Sequence, residues 1–517
     1  MAVYLVVAFH AGMGRLVGGF IGVDVFFVLS GYLVTQLLLR DLDRRDAVEL
    51  GRFYARRFRR LLPAAAVALL ATALIYPTFA SPMQAIDATP AVRAASLYVS
   101  NWYFIRQSTD YFAADVARSP VLHFWSLAVE EQFYAAWPLL LAGLFAASRR
   151  FGRHRRRAVF TAIAVGLSAS LTAALWIART DTNRAYYGTD TRAYQLLAGA
   201  LVALAPSALG RFWPRADRRH RRWPALASAA ALGALAVTAT TFVAVGPITR
   251  GVLATLATVV LITSLELATG PVRAALSGAT VGYLGRISYG VYLWHWIVIL
   301  FLGATVELGS APTAAVTALV ATGLASLSYQ VLEVPVRRSA WLDRRRGPVI
   351  AMGLAVSLLL GLLVAPRLLD PARTSADPSA TASGPVQGAA PVPAGLDWRA
   401  AAADHGDFPQ CRAADPRACI RVAGDGPHVL LIGDSNGRMY LPLFEDLARS
   451  RRFTLSAAVA PGCLWMEGIL RTEEQFRESC RARQKEWYDT IVPALDPDVV
   501  VLVHRAIDDP TSPTTIA

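Results

Sequence analysis

The chain has 517 residues, 55% of them hydrophobic and only 17% charged, with a mean hydropathy of +0.40. That balance excludes an ordinary soluble globule and points to a polytopic membrane protein. The net charge of +14 would suit nucleic acid, but the arginines fall in short clusters between apolar stretches, a topology signal, so no nucleic-acid partner is expected.

With a window of about 19 residues, candidate spans cover 20–39, 61–80, 128–147, 159–178, 193–206, 225–244, 249–268, 284–304, 311–332 and 348–366. The stretch 193–206 is short and polar at its start, so a tilt or break is expected there. Ala2 to Ala11 is apolar but only about half the ~20 residues needed to cross. Residues 1–13 therefore read as the end of a first, truncated helix, giving about eleven spans. Orientation follows from the loops. Arg40, Arg44, Arg45, Arg52, Arg56, Arg57, Arg59 and Arg60 lie between the second and third spans. Further clusters run from Arg149 to Arg157, from Arg211 to Arg222 and from Arg337 to Arg346. Each follows an even-numbered span, which puts those loops in the cytoplasm and everything after the eleventh span outside.

Residues 1–340 hold most of the spans, 341–369 the last one with its flanks, and 370–404 an Ala/Pro/Ser-rich linker. The remaining segment, 405–517, carries all four cysteines, Cys411, Cys419, Cys463 and Cys480. Their confinement suggests an oxidising compartment. Of the three pairings possible, the local ones, Cys411–Cys419 and Cys463–Cys480, are favoured; four free thiols in a cytosolic segment are the alternative. An apolar strand, His428–Gly433, turns at Gly433-Asp434-Ser435 into a helix over Arg438–Ser450. Strands at Thr454–Ala460 and Val499–His504 complete an α/β pattern.

Within or against the spans lie His10, Asp24, Glu130, Glu131, Arg192 and His295. Ionisable groups cost several kcal/mol in hydrocarbon and there usually mark a relay, a pathway or a reacting site. A neutral imidazole can take a hydroxyl proton, a carboxylate can hold the ring in the useful tautomer, and an arginine can steady an oxyanion. The plainer alternative is that each fixes helix packing through a buried hydrogen bond. Arg57 and Arg60 are suited to phosphate, with topogenic charge as the plainer reading.

Several runs carry a resemblance. They are Gly22-Val-Asp24-Val-Phe-Phe-Val-Leu-Ser-Gly-Tyr32, Phe53-Tyr-Ala-Arg56-Arg57-Phe-Arg59-Arg60-Leu-Leu-Pro63 and His123-Phe-Trp-Ser-Leu-Ala-Val-Glu130-Glu131-Gln-Phe-Tyr134. Thr191-Arg192-Ala-Tyr-Gln-Leu-Leu-Ala-Gly199, Ile287-Ser-Tyr-Gly-Val-Tyr-Leu-Trp-His295 and Glu333-Val-Pro-Val-Arg-Arg338 follow in order. Residues 1 to about 340 thus resemble the acyltransferase-3 family of membrane O-acyltransferases. The resemblance implies transfer of acetyl, or another short acyl group, from cytoplasmic acetyl-CoA to a hydroxyl outside, with no metal. It implies His10 as general base or transient acyl carrier and Glu131 as its partner. On the residues' own chemistry, Asp24, Glu130, Arg192 and His295 are expected to support them, and the CoA phosphates are expected to dock near Arg57 and Arg60. The family's first-helix Arg would precede Met1.

Gly433-Asp434-Ser435 after a strand resembles the first block of SGNH hydrolases, implying Ser435 as nucleophile, and Gly462 is a match for the second block. The Asp-x-x-His block that supplies the base would lie beyond Ala517, so this is a partial SGNH-like domain. The expected protein is a bacterial plasma (inner) membrane O-acyltransferase with an extracytoplasmic SGNH-like domain, whose partners are acyl-CoA, a cell-envelope glycan such as lipopolysaccharide or another polysaccharide, and the bilayer. Two rivals remain open: an acyltransferase for a small secreted molecule such as a macrolide, and a non-catalytic acyl or glycan transporter.

Overall fold

A backbone surrounded by hydrocarbon must satisfy its own hydrogen bonds, and a helix does so within one segment. The computed structural model follows that rule. It describes residues 1–107, 109, 111, 119–209, 223–267, 271–370, 411–460, 463–466 and 474–504. They fall into two units, Met1–Ala402 and Ala403–Ala517.

The first unit is helical. Its first half runs through α1 (Ala2–His10), α2 (Ile21–Arg45), α3 (Leu50–Ile75), α4 (Pro82–Ser96), α5 (Ser100–Arg106), α6 (Phe124–Ala147), α7 (Arg155–Ile177), α8 (Thr182–Tyr187) and α9 (Thr189–Leu209). The second half runs through α10 (Trp223–Thr238), α11 (Pro247–Leu267), α12 (Pro271–Leu276), α13 (Ala279–Thr305), α14 (Ser310–Ser328), α15 (Val334–Arg338), α16 (Ala340–Arg344), α17 (Arg346–Leu359) and α18 (Ala365–Leu368). Each span read from hydropathy overlaps one of these helices, although 225–244 runs past the end of α10 at Thr238 and 61–80 past the end of α3 at Ile75. Among the described residues, seven helical stretches are long and apolar enough to cross a membrane. The longest, Phe124–Ile177, is broken into α6 and α7 at Gly152, whose φ of 48° suits glycine.

Two boundaries differ from expectation. The third span begins at Leu50, so Arg52, Arg56, Arg57, Arg59 and Arg60 stand on the first turns of α3, not in a loop. The polar start of the stretch near 193 neither breaks nor ends its helix, because α9 turns Thr191, Arg192 and Gln195 into the protein interior.

Glycine sets the closest helix contact. A Cβ at Gly31 of α2 would stand 1.9 Å from the Leu196 carbonyl oxygen, and one at Gly199 of α9 would stand 2.0 Å from that of Val28. The two backbones therefore touch, as small residues allow between membrane helices. That contact brings Asp24 of α2 to Arg192 of α9. Helix α13 is buried all round from Gly290 to Ile297, which makes it an internal helix and puts His295 deep in the unit.

The second unit holds β1 (Ile420–Val422), β2 (His428–Gly433), α19 (Ser435–Arg451), β3 (Thr454–Val459), α20 (Glu474–Glu486), α21 (Val492–Leu495) and β4 (Val499–Val503). The strand order is β1-β3-β2-β4. Strand β2 runs parallel to both β3 and β4, and β1 pairs antiparallel with β3. Strand β1 is too short to have shown a pattern, and α19 starts three residues before the expected position. Both local disulfides, Cys411–Cys419 and Cys463–Cys480, are formed.

Candidate functional site

Three histidines from distant parts of the first unit meet at one level. Helix α1 ends on His10, His123 caps the start of α6, and α13 carries His295. The His10 and His295 rings lie nearly parallel with centroids 5.1 Å apart, and His123 lies edge-on to His295 at 5.3 Å. Trp296 stands 4.7 Å from the His10 ring and anchors its indole N–H on the Ser119 carbonyl at 2.9 Å. The Tyr292 hydroxyl donates to the His123 carbonyl at 2.9 Å and meets the Ser126 hydroxyl at 2.6 Å.

Hydrogen-bond direction fixes the tautomers of neutral rings in this cluster. His295 Nδ1 lies 2.6 Å from the Tyr292 carbonyl oxygen; a carbonyl only accepts, so Nδ1 carries the proton and Nε2 is a lone pair. His10 Nδ1, 2.9 Å from that lone pair, must donate to it. His10 Nε2 is then a lone pair as well, and it accepts from the Tyr111 hydroxyl at 2.8 Å. The end of the chain is a basic nitrogen facing a hydroxyl.

Arg192 and Asp24 form a separate pair. They meet at 2.6 Å with both side chains fully buried, and Gln195 donates to the same carboxylate oxygen at 2.6 Å. The guanidinium sits among the rings of Phe27, Trp125 and Tyr186. Its Nε and Nη1 find no hydrogen-bond partner among the described residues.

Glu131 does not partner His10. Both ring nitrogens of His10 are taken, by His295 and Tyr111. Glu130 and Glu131 follow His123 on α6 by seven and eight residues, roughly 11–12 Å at 1.5 Å per residue. They belong to a second level, governed by arginine. There Arg57 lays its guanidinium 3.7 Å from the centre of the Tyr134 ring, and Tyr134 in turn meets the Ser30 hydroxyl. Arg57 and Arg60 line a cavity of about 590 Å³ with Arg56, Arg59, Arg337 and Arg338. Arg59 is committed to structure: it donates to the carbonyls of Val336, Arg337 and Ser339 and to Asp343. The remaining arginines give the cavity a cationic wall. Tyr289 of α13 donates to the Leu61 carbonyl of α3 at 3.1 Å, and His295 is six residues further along α13, about 9 Å.

In the second unit, Ser435 opens α19 directly after β2, at the carboxyl end of the parallel strands where ligands of α/β sheets bind. Ser435 is exposed and Asp434 buried. Gly433 pairs with Val503, so His504 leaves β4 at the same sheet end, its ring 5.9 Å from that of Trp465. Gly462 lies outside the described residues.

His123, Tyr111 and Tyr292 escaped the reading of the sequence as site residues. The run His123-Phe-Trp-Ser was a usable signal for the first; a lone loop tyrosine such as Tyr111 carries none.

A bundle of apolar helices with a buried imidazole cluster at one level and a cationic cavity at another, followed by an α/β unit, defines a helical membrane protein with a separate C-terminal domain. Residues 1–329 match the acyltransferase domain family, and residues 399–513 match the SGNH domain found fused to such domains. The chain belongs to this acyltransferase family and carries a C-terminal SGNH domain. Peptidoglycan O-acetyltransferase OatA of Listeria monocytogenes is 33% identical over 355 residues, covering 67% of this chain and 56% of that protein. O-acetyltransferase OatA of Staphylococcus aureus is 32% identical over 380 residues, covering 70% and 61%. Putative peptidoglycan O-acetyltransferase YrhL of Bacillus subtilis is 33% identical over 355 residues, covering 65% and 53%. The chain thus spans somewhat more than half the length of these relatives. No solved structure matches it.

Proposed function

We propose that this chain is a plasma-membrane O-acetyltransferase that moves an acetyl or other short acyl group from cytoplasmic acyl-CoA to a hydroxyl of an extracytoplasmic glycan. The names of its relatives make peptidoglycan the proposed acceptor. The carrying observation is the lone pair of His10 Nε2 held 2.8 Å from a hydroxyl oxygen, the arrangement a general base needs. An acceptor hydroxyl arriving at that nitrogen takes the place now filled by Tyr111.

In this reading eleven spans cross the bilayer, the arginine-rich loops face the cytoplasm, and the SGNH domain lies outside. The cationic cavity around Arg57 and Arg60 takes the donor's phosphates, since guanidinium forks match phosphate oxygens. The pantetheine arm runs along α13 toward the histidine level. His10 removes the acceptor proton, the oxygen attacks the thioester carbon, and the departing thiolate takes that proton back from His10. Glu130 and Glu131 sit beside the arginine level and keep the passage polar. Ser435 receives or relays the acyl group outside.

The test uses inside-out vesicles, labelled acetyl-CoA and a His10→Ala variant. Loss of labelled ester on the glycan, with donor binding intact, supports the reading; undiminished transfer rejects it. A transporter without chemistry would carry label inward in both proteins and form no ester.

A further inference from the structure

We propose that His295, not a carboxylate, is the positioning residue that orients His10 and shares its charge during proton transfer, with the Tyr292 carbonyl as the fixed end of the chain. The inference rests on His10 being the base in the function proposed above.

Among the described residues, no carboxylate is placed to do this work. Asp24 is engaged by Arg192 and Gln195, each at 2.6 Å. Glu130 and Glu131 lie roughly 11–12 Å down α6 from the histidine level. His123 is not the orienting group either: its Nε2 donates to the Leu293 carbonyl at 3.2 Å, and its Nδ1 has no partner among the described residues. Among the described residues, only His295 bonds His10 Nδ1, and only in the acceptor tautomer that the Tyr292 carbonyl imposes. The near-parallel rings, 4° apart, keep that bond in one geometry.

The steps balance. The acceptor O–H proton moves to His10 Nε2, making an imidazolium whose Nδ1–H points at His295 Nε2. That bond strengthens as positive charge develops, and the proton can shift along it, leaving His295 cationic and its Nδ1–H still on the Tyr292 carbonyl. The acceptor oxygen bonds the acyl carbon as the carbon–sulfur bond breaks. The proton on His10 Nε2 goes to the thiolate, and His10 Nδ1 recovers its own proton from His295. The role matches that of the aspartate in a serine-protease triad, where losing the correct tautomer costs about 10⁴-fold in kcat.

Two measurements on the full chain in nanodiscs test this. In ¹⁵N NMR of histidine-labelled protein, with the His10→Ala spectrum identifying the His10 signals, wild-type His10 should be the Nδ1–H tautomer. In transfer assays, H295F should lose about 10²–10⁴-fold in kcat, by analogy with tautomer loss in that triad, with KM for acetyl-CoA unchanged. H295Q, whose amide oxygen can accept from His10 Nδ1–H, should stay within about tenfold of wild type. H295F with normal kcat overturns the proposal while leaving the base role intact; wild-type His10 in the Nε2–H form overturns both, because Nε2 then has no lone pair to take the proton. If H295F fails to fold, the wild-type spectrum and H295Q decide. Full transfer by His10→Ala overturns the base role itself.

Discussion

The histidine level and the arginine level use the same helices, α6 and α13, yet they solve burial in opposite ways. At the first, His295 and His10 are ordered in line from the Tyr292 carbonyl and His123 separately by the Leu293 carbonyl, so each ring has one defined tautomer. No net charge is needed, which suits a site that must stay dry. At the second, guanidinium groups keep their charge and are held by a ring face at Tyr134 and by carbonyls around Arg59. A neutral, directional chain is poised to move a proton; a fixed cationic wall is poised to hold an anion. In the proposed function, separating them by about 9–12 Å along the helices would give the donor's charged end and its reacting end different environments.

Removing one member of each level should expose that contrast. The largest effect is expected from His10→Ala, which should cut acyl transfer on the order of 10²–10⁴-fold while leaving acetyl-CoA affinity, read by calorimetry, unchanged. Asp24→Ala leaves Arg192 buried without its counter-ion, an error worth about 3–5 kcal/mol in folded proteins. It should appear as a large fall in detergent melting temperature, and a wild-type melting curve would argue that water reaches the pair. Arg57→Ala or Arg60→Ala should weaken acetyl-CoA binding by about 1.5–3 kcal/mol, the range for a hydrogen bond to a charged group. Turnover at saturating donor should hold, so a kcat defect with unchanged affinity would move these residues out of the docking role.

The smallest effect concerns the turn after α2. The Arg155 hydrogen bond, with the charges of Arg155 and Arg149, holds the Asp46 carboxyl below its usual range, at contacts of 2.6 and 3.3 Å. A depressed carboxyl contributes its stability above its unfolded pKa and loses it as pH falls through the lower folded value. Amide protection factors at residues 46–49, taken relative to the intrinsic rate at each pH, should therefore fall only below about pH 4, the unperturbed aspartate range. In Asp46→Asn they should be low and independent of pH. A pH-dependent wild-type response centred near neutrality would contradict this.

Much of this architecture was legible without coordinates. Hydropathy is summed over neighbours along the chain, so the apolar helices, the strand before Ser435 and the oxidised cysteine-bearing segment could be read directly, although seven helical stretches rather than eleven are long and apolar enough to cross a membrane among the described residues. The arginine clusters could be located too, although the first three turns of α3 read as loop because charge masks helix in a hydropathy window. What local order cannot encode is which buried polar group meets which. His10 and His295 are 285 residues apart and Asp24 and Arg192 are 168 apart, and their meeting depends on glycine contacts between α2 and α9 and on the burial of α13. Sequence supplied plausible chemistry for His10 with Glu131. Tertiary packing gave that nitrogen to His295 instead, because a helix advances only 1.5 Å per residue and leaves Glu131 too far down α6 to reach it.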